Sequence, residues 1–129
     1  MIKKKFIIWI LRIIAAAILL QTLFFKFNGA EESIYIFSTL GVEPYGRIGT
    51  GIAELIVVIL ILIPRTTWIG ALCGLVIMTG AIFSHLLVLG IQIKGDGGLL
   101  FGLAVIVFVC CLGLLHHYRK IFFNFLKIK

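Results

Sequence analysis

Residues 46–64, GRIGTGIAELIVVILILIP, form an apolar run of membrane-crossing length with a carboxylate, Glu54, near its middle. At about 1.5 Å per residue, a helix of this length covers the ~30 Å hydrocarbon core of a bilayer. A charged side chain at that depth costs about 2.5 kcal/mol or more unless something answers it. The run therefore demands both a helical span and a polar partner elsewhere in the chain.

The rest of the chain is of the same kind. Of its 129 residues, 62% are hydrophobic and 13% charged, more apolar surface than a soluble domain of this size can hide. The net charge of +7 does not indicate nucleic acid. The basic residues stand at the ends of apolar runs rather than on a polar face, and there they act as topology signals. Three cysteines without a C-x-x-C pair exclude a disulfide scaffold and a structural zinc site of the usual spacing.

Four spans emerge, at about 6–27, 46–63, 68–89 and 98–115, in one domain covering 1–129. The fold class is all-α, an integral membrane four-helix bundle. The basic head MIKKK and the apolar run after it have the layout of a signal peptide. Arg12 breaks that run, however, its length is too great, and no A-x-A precedes Glu31; a retained helix is expected. Between the first two spans lies NGAEESIYIFSTLGVE. Asn28 and Glu31 have capping spacing, Ile34, Phe37 and Leu40 recur helically, and Gly41 is placed to end the turn. These features predict a short amphipathic helix on the membrane or over the mouth of the bundle. Pro44 suits the first turn of the next helix. Pro64–Thr67 is a tight connection that makes spans two and three antiparallel neighbours, and Gly90–Gly97 is a loop.

Orientation follows from the basic residues. With the N-terminus inside, the cytoplasmic side collects Lys3, Lys4, Lys5, Arg12, Arg65, Arg119, Lys120, Lys127 and Lys129. The outer side keeps Lys26, Arg47 and Lys94, together with Glu31, Glu32, Glu43 and Asp96. Both termini are thus expected in the cytoplasm. The tail 116–129, HHYRKIFFNFLKIK, is basic and aromatic and suits the anionic head groups of membrane lipids.

Helices in lipid associate through close packing of small residues. Gly98, Gly102 and Gly113 fall near one face of the fourth span, and Gly70, Gly74, Met78, Ala81 and His85 form one stripe on the third. On that stripe His85 should face protein rather than lipid.

The polar residues sort by depth. Lys26, Arg47, Glu54 and His85 lie in the outer half of the bundle, and Arg12 in the inner half. Arg47 and Glu54 share a face of the second span about 10 Å apart along the axis. Two readings follow. In one, Glu54 with Lys26, Arg47 or His85 forms an internal ion pair that fixes helix register. In the other, Glu54 and His85 line a pocket open to the outer side, with the helix around Phe37 as its lid. A carboxylate and an imidazole there can relay a proton or hydrogen-bond the head of a quinone or another lipid-soluble ligand. Two candidate ligands without a spacing motif make no metal site. Bis-histidine haem would need His85 opposite His116 or His117, about 20 Å away in depth. Cys73, Cys110 and Cys111 lie in the inner half and are expected to be buried apolar groups.

The ordered set of polar residues resembles the DoxX family of small bacterial four-helix membrane proteins. In that pattern an Arg early in the first helix precedes a Lys near its end, here Arg12 and Lys26. A Glu follows in the second helix, here Ala53-Glu54-Leu55. A small residue and a His stand late in the third, here Gly80-Ala81-Ile82-Phe83-Ser84-His85. The resemblance runs from about Arg12 to Leu115, with one departure: Leu23 stands where the family often has Gly. It implies a bacterial inner-membrane protein. Some members resemble subunits of membrane oxidoreductase systems, including thiosulfate:quinone oxidoreduction and a complex with thiol and superoxide enzymes. On that footing quinone is the candidate cofactor, and a protein partner or a second copy the candidate associate. The chain carries no haem, flavin or iron–sulfur signature, so the resemblance implies a ligand holder or anchor rather than an enzyme acting alone. The rival class is a non-catalytic scaffold or assembly factor whose buried charges are structural.

Overall fold

The computed structural model describes residues 2–91, 93 and 97–128, and all their side chains except those of 2, 3, 122 and 125–128. Of the charges counted for orientation, those of Lys3, Lys94, Asp96, Lys127 and Lys129 lie outside what is described. Among the described residues six α-helices form: α1 (Ile2–Phe27), α2 (Glu31–Thr39), α3 (Tyr45–Leu62), α4 (Thr67–Ser84), α5 (Leu99–His117) and α6 (Arg119–Ile128). A 3₁₀ turn at Pro64–Thr66 joins α3 to α4, and a π-turn at His85–Leu89 extends α4. Four helical segments, Lys4–Phe27, Tyr45–Leu62, Pro64–Leu89 and Leu99–His117, are long and apolar enough to cross a membrane. Helices suit that setting because they satisfy their own backbone where no water can.

The spans close into a ring in which α1 packs on α3, α3 on α4, α4 on α5 and α5 back on α1. Ala15, Leu19, Val57, Ile61, Val107 and Leu114 fill its centre. Side chains such as Phe6, Ile52, Val76 and Val109 point outward, each more than half or half exposed, as a lipid-facing surface requires. The α4 stripe is buried as its spacing indicates: Gly70, Gly74, Met78 and His85 all face inward.

Several local expectations are corrected. Gly98 is not on the α5 face at all; it precedes the helix in the left-handed region at φ +85°. Gly102 has open space where a side chain would stand. The α5 seam is instead Ala104, Val107, Cys111 and Leu114, because that is the face turned toward the other three spans. Cys110 and Cys111 are buried, but Cys73 is exposed on the outer surface of α4. Asn28 does not cap α2. Its N–H closes the end of α1 on Phe24, and Ala30 occupies the cap position without a side-chain bond. Pro44 stands just before α3 rather than within its first turn. On α2 the buried face is Ser33 and Phe37, whereas Ile34 is exposed. Gly41 does end α2, at φ +80°, where the Val42 N–H bonds to the Phe37 carbonyl. The tail is helical over α6.

At Gly70 one helix meets the backbone of another: an added Cβ would lie 2.8 Å from the backbone nitrogen of Ile61. Backbone cannot yield as a side chain can. Gly70→Ala should therefore destabilise the bundle by about 1–3 kcal/mol. Gly102→Ala, in open space, should leave it unchanged or raise stability by up to about 1 kcal/mol. Thermal unfolding of the two variants in detergent, followed by circular dichroism, should shift in these opposite senses.

Candidate functional site

The buried carboxylate finds its partners on α1. Glu54 is 2% exposed, and its Oε1 lies 2.9 Å from Lys26 Nζ. The Thr22 hydroxyl is 2.9 Å from Oε2. Thr22 and Lys26 are one helical turn apart, so they reach α3 from the same face of α1. Both oxygens of Glu54 are engaged, and the buried charge is neutralised where it sits.

Lys26 and Glu54 stand on the wall of a cavity of about 530 Å³ between the spans. All four spanning helices contribute to it, α2 contributes Ser33, Ile36 and Phe37, and Leu40 joins them just past the end of α2. Its walls are mostly apolar, with Thr50, Ser84 and His85 as further polar positions. This is the size and character of a small-molecule pocket: concave, apolar and marked by a few polar groups.

His85 opens the π-turn at the end of α4 and is 5% exposed. Its Nδ1 is 3.1 Å from the Gly90 carbonyl, and the Gly90 N–H donates back to the His85 carbonyl at 2.7 Å. The ring stands edge-to-face with Phe101, centroids 5.6 Å apart. Chain end and ring therefore hold each other. Such π-turns occur frequently at functional sites.

Arg47 lies near this cluster but does not meet Glu54. Its Nε sits 2.9 Å from Glu43 Oε1, one turn back, and its Nη1 donates to the Lys26 carbonyl. Two turns of helix separate it from Glu54, about 10 Å, which is beyond comfortable reach. Arg47 instead closes the C-terminal end of α1.

Arg12 belongs to a separate polar group at the opposite end of the bundle. Buried at 2% exposure, it donates from Nε to the Ile61 carbonyl at 2.9 Å and from Nη2 to that of Leu62 at 2.6 Å. The ring of Trp9 lies 3.7 Å from its guanidinium carbon. Thr66 and Thr67 bond the carbonyls of Leu60, Ile61 and Ile63. Together these groups satisfy the end of α3, whose last carbonyls have no partners within the helix.

The structure thus brings Lys26 and Glu54 into contact, sets His85 on the same cavity, and leaves Arg47 and Arg12 as helix-end caps. Thr22, Ser33 and Thr50 were not singled out from sequence. The four-residue step from Thr22 to Lys26 within an apolar run was the available signal for the first. No three His, Cys, Asp or Glu side chains among the described residues come together as a metal site would require.

Removing one member of the buried pair should cost more than removing both. Lys26→Met leaves a buried carboxylate with only Thr22 and should destabilise by about 3–5 kcal/mol. Lys26→Met combined with Glu54→Gln should recover much of that loss. The measurement is thermal unfolding of wild type, single and double variants in one detergent; a double variant no better than the single would contradict the pairing.

A comparison with protein families matches residues 10–114 to the DoxX-like family. No curated protein and no solved structure matches the chain with significance. The family match covers most of the chain and contains every element of the cavity from α1 to α5; its four apolar helices make it an integral membrane protein, and it belongs to the DoxX-like family.

Proposed function

We propose that this chain binds a quinone- or lipid-like ligand in the outer half of its bundle, within a membrane redox or stress-related system of the bacterial inner membrane. The observation that carries the reading is the cavity of about 530 Å³, lined by Glu54, Lys26 and His85 and bordered by α2. Its apolar walls suit a lipophilic body, and its polar positions suit a head group with oxygen atoms. The carboxylate and ammonium cancel one another, so the occupant need not bring a countercharge.

Both termini are cytoplasmic in this reading. Lys4, Lys5, Arg65, Arg119 and Lys120 then gather on the inner side, in keeping with the inside bias of basic residues. At that end Lys4, His116, His117 and Arg119 border a second cavity of about 370 Å³, a setting for anionic head groups. A protein partner or a second copy would supply whatever chemistry four spans alone lack.

A second reading rests on a specific observation. Both Glu54 oxygens are already engaged by Lys26 and Thr22, as in a scaffold whose buried charges only hold helices together.

Native mass spectrometry with lipid extraction, applied to wild type, Glu54→Gln and His85→Ala, separates the two. A quinone or lipid carried by the wild type and lost from well-folded variants is the expected result. An empty wild type, with variants that fall apart, would favour the scaffold.

A further inference from the structure

We infer that the occupant of the cavity presents a hydroxyl group to His85, so that a hydroquinone-type ligand is preferred over the oxidised quinone. This rests on the ligand-binding reading above. It comes from the hydrogen-bond partner of one ring nitrogen.

The Gly90 carbonyl, 3.1 Å from Nδ1 of His85, has no hydrogen and can only accept. Nδ1 therefore carries the proton. In a neutral imidazole one nitrogen donates and the other accepts, so Nε2 is left as a bare acceptor. The carboxylate on the same cavity, Glu54, is paired with Lys26 at 2.9 Å rather than with the His85 ring.

The contacts around the ring set its position. Gly90 holds it at Nδ1, Phe101 packs edge-to-face against it, and the reciprocal Gly90 N–H bond at 2.7 Å fixes the turn that carries it. His85 borders the cavity, so Nε2 is its remaining polar group for an occupant. An acceptor there selects a donor. A quinone carbonyl only accepts and would set lone pair against lone pair. A phenolic O–H donates.

The rest of the cavity is consistent with an oxygen at each end of the ligand. Lys26 gives one N–H to Glu54 and keeps further donors for a second ligand oxygen. A hydroquinone can donate from one hydroxyl and accept at the other. A long-chain alcohol such as diacylglycerol shares the donor and lacks the ring.

The test uses the full chain in detergent under anaerobic conditions, with four probes: decyl-hydroquinone, decyl-benzoquinone, the dimethyl ether of the hydroquinone, and dioleoylglycerol. Calorimetric titration should give the hydroquinone a Kd at least tenfold below those of the benzoquinone and the ether. His85→Asn keeps an amide N–H in place of Nδ1 for Gly90 and removes Nε2. It should raise the hydroquinone Kd to that of the ether and leave the ether unchanged. Tight binding of dioleoylglycerol instead of the hydroquinone would keep the hydroxyl and assign it to a lipid. Equal binding of hydroquinone, quinone and ether would overturn the inference and leave the cavity reading standing. Binding of no probe would overturn both.

A second measurement does not depend on a variant folding. With only 3 histidines in the chain, ¹⁵N-histidine spectra of the wild type can be assigned. They should show His85 protonated at Nδ1 and bare at Nε2, with the Nε2 signal moving when hydroquinone is added. An Nε2-protonated ring would overturn the inference.

Discussion

The structure depends first on the pairing of Glu54 with Lys26. A carboxylate placed midway along a span and only 2% exposed must be answered from a neighbouring helix, because its own helix offers no cation within reach. Lys26 can answer only if α1 runs antiparallel to α3 in one register. The pair thus sets the alignment of two helices before any apolar contact is considered, and Thr22 narrows the choice by taking the second oxygen.

Two further contacts hold the same pair of helices at other depths. Arg12 of α1 closes the end of α3, and Arg47 of α3 closes the end of α1. Each cation sits where a helix ends in unpaired carbonyls and the negative end of its dipole. The three contacts divide the labour: the cations at Lys26 and Arg47 are neighbours near one end of the bundle, and Arg12 stands at the other end. α1 and α3 are clasped along their length, which leaves α4 and α5 to shape the volume beside them. Gly70 and Gly74 bring α4 close to α3 and α5, and the cavity is bordered by the π-turn and α2, which replace straight helix at that end.

That arrangement explains why one pocket carries both kinds of polar group. The ion pair that joins α1 to α3 stands on the wall with its charge already cancelled. His85 arrives separately, from the wound end of α4, with one nitrogen tied to backbone.

Much of this was legible in the residues. Apolar run lengths fixed four spans, and lone polar residues within them marked Glu54, Lys26, Arg12 and His85, since a charge in lipid is too costly to be idle. The burial of His85 followed from its glycine stripe. Partners were less legible. Arg47 shares a helix face with Glu54 but pairs with Glu43, because two turns exceed its reach and one turn does not. Of the glycines that suggested a seam on α5, Gly113 does pack against Leu11 of α1, whereas Gly98 precedes the helix and Gly102 faces open space. What sequence alone determined, then, was which segments cross the membrane and which side chains must find company there, because transfer cost is local to each residue. Tertiary structure decided which partner each one takes, which face of α2 turns inward, and that a cavity remains between the spans. Those depend on the register and rotation of helices far apart in the chain, which no local pattern carries.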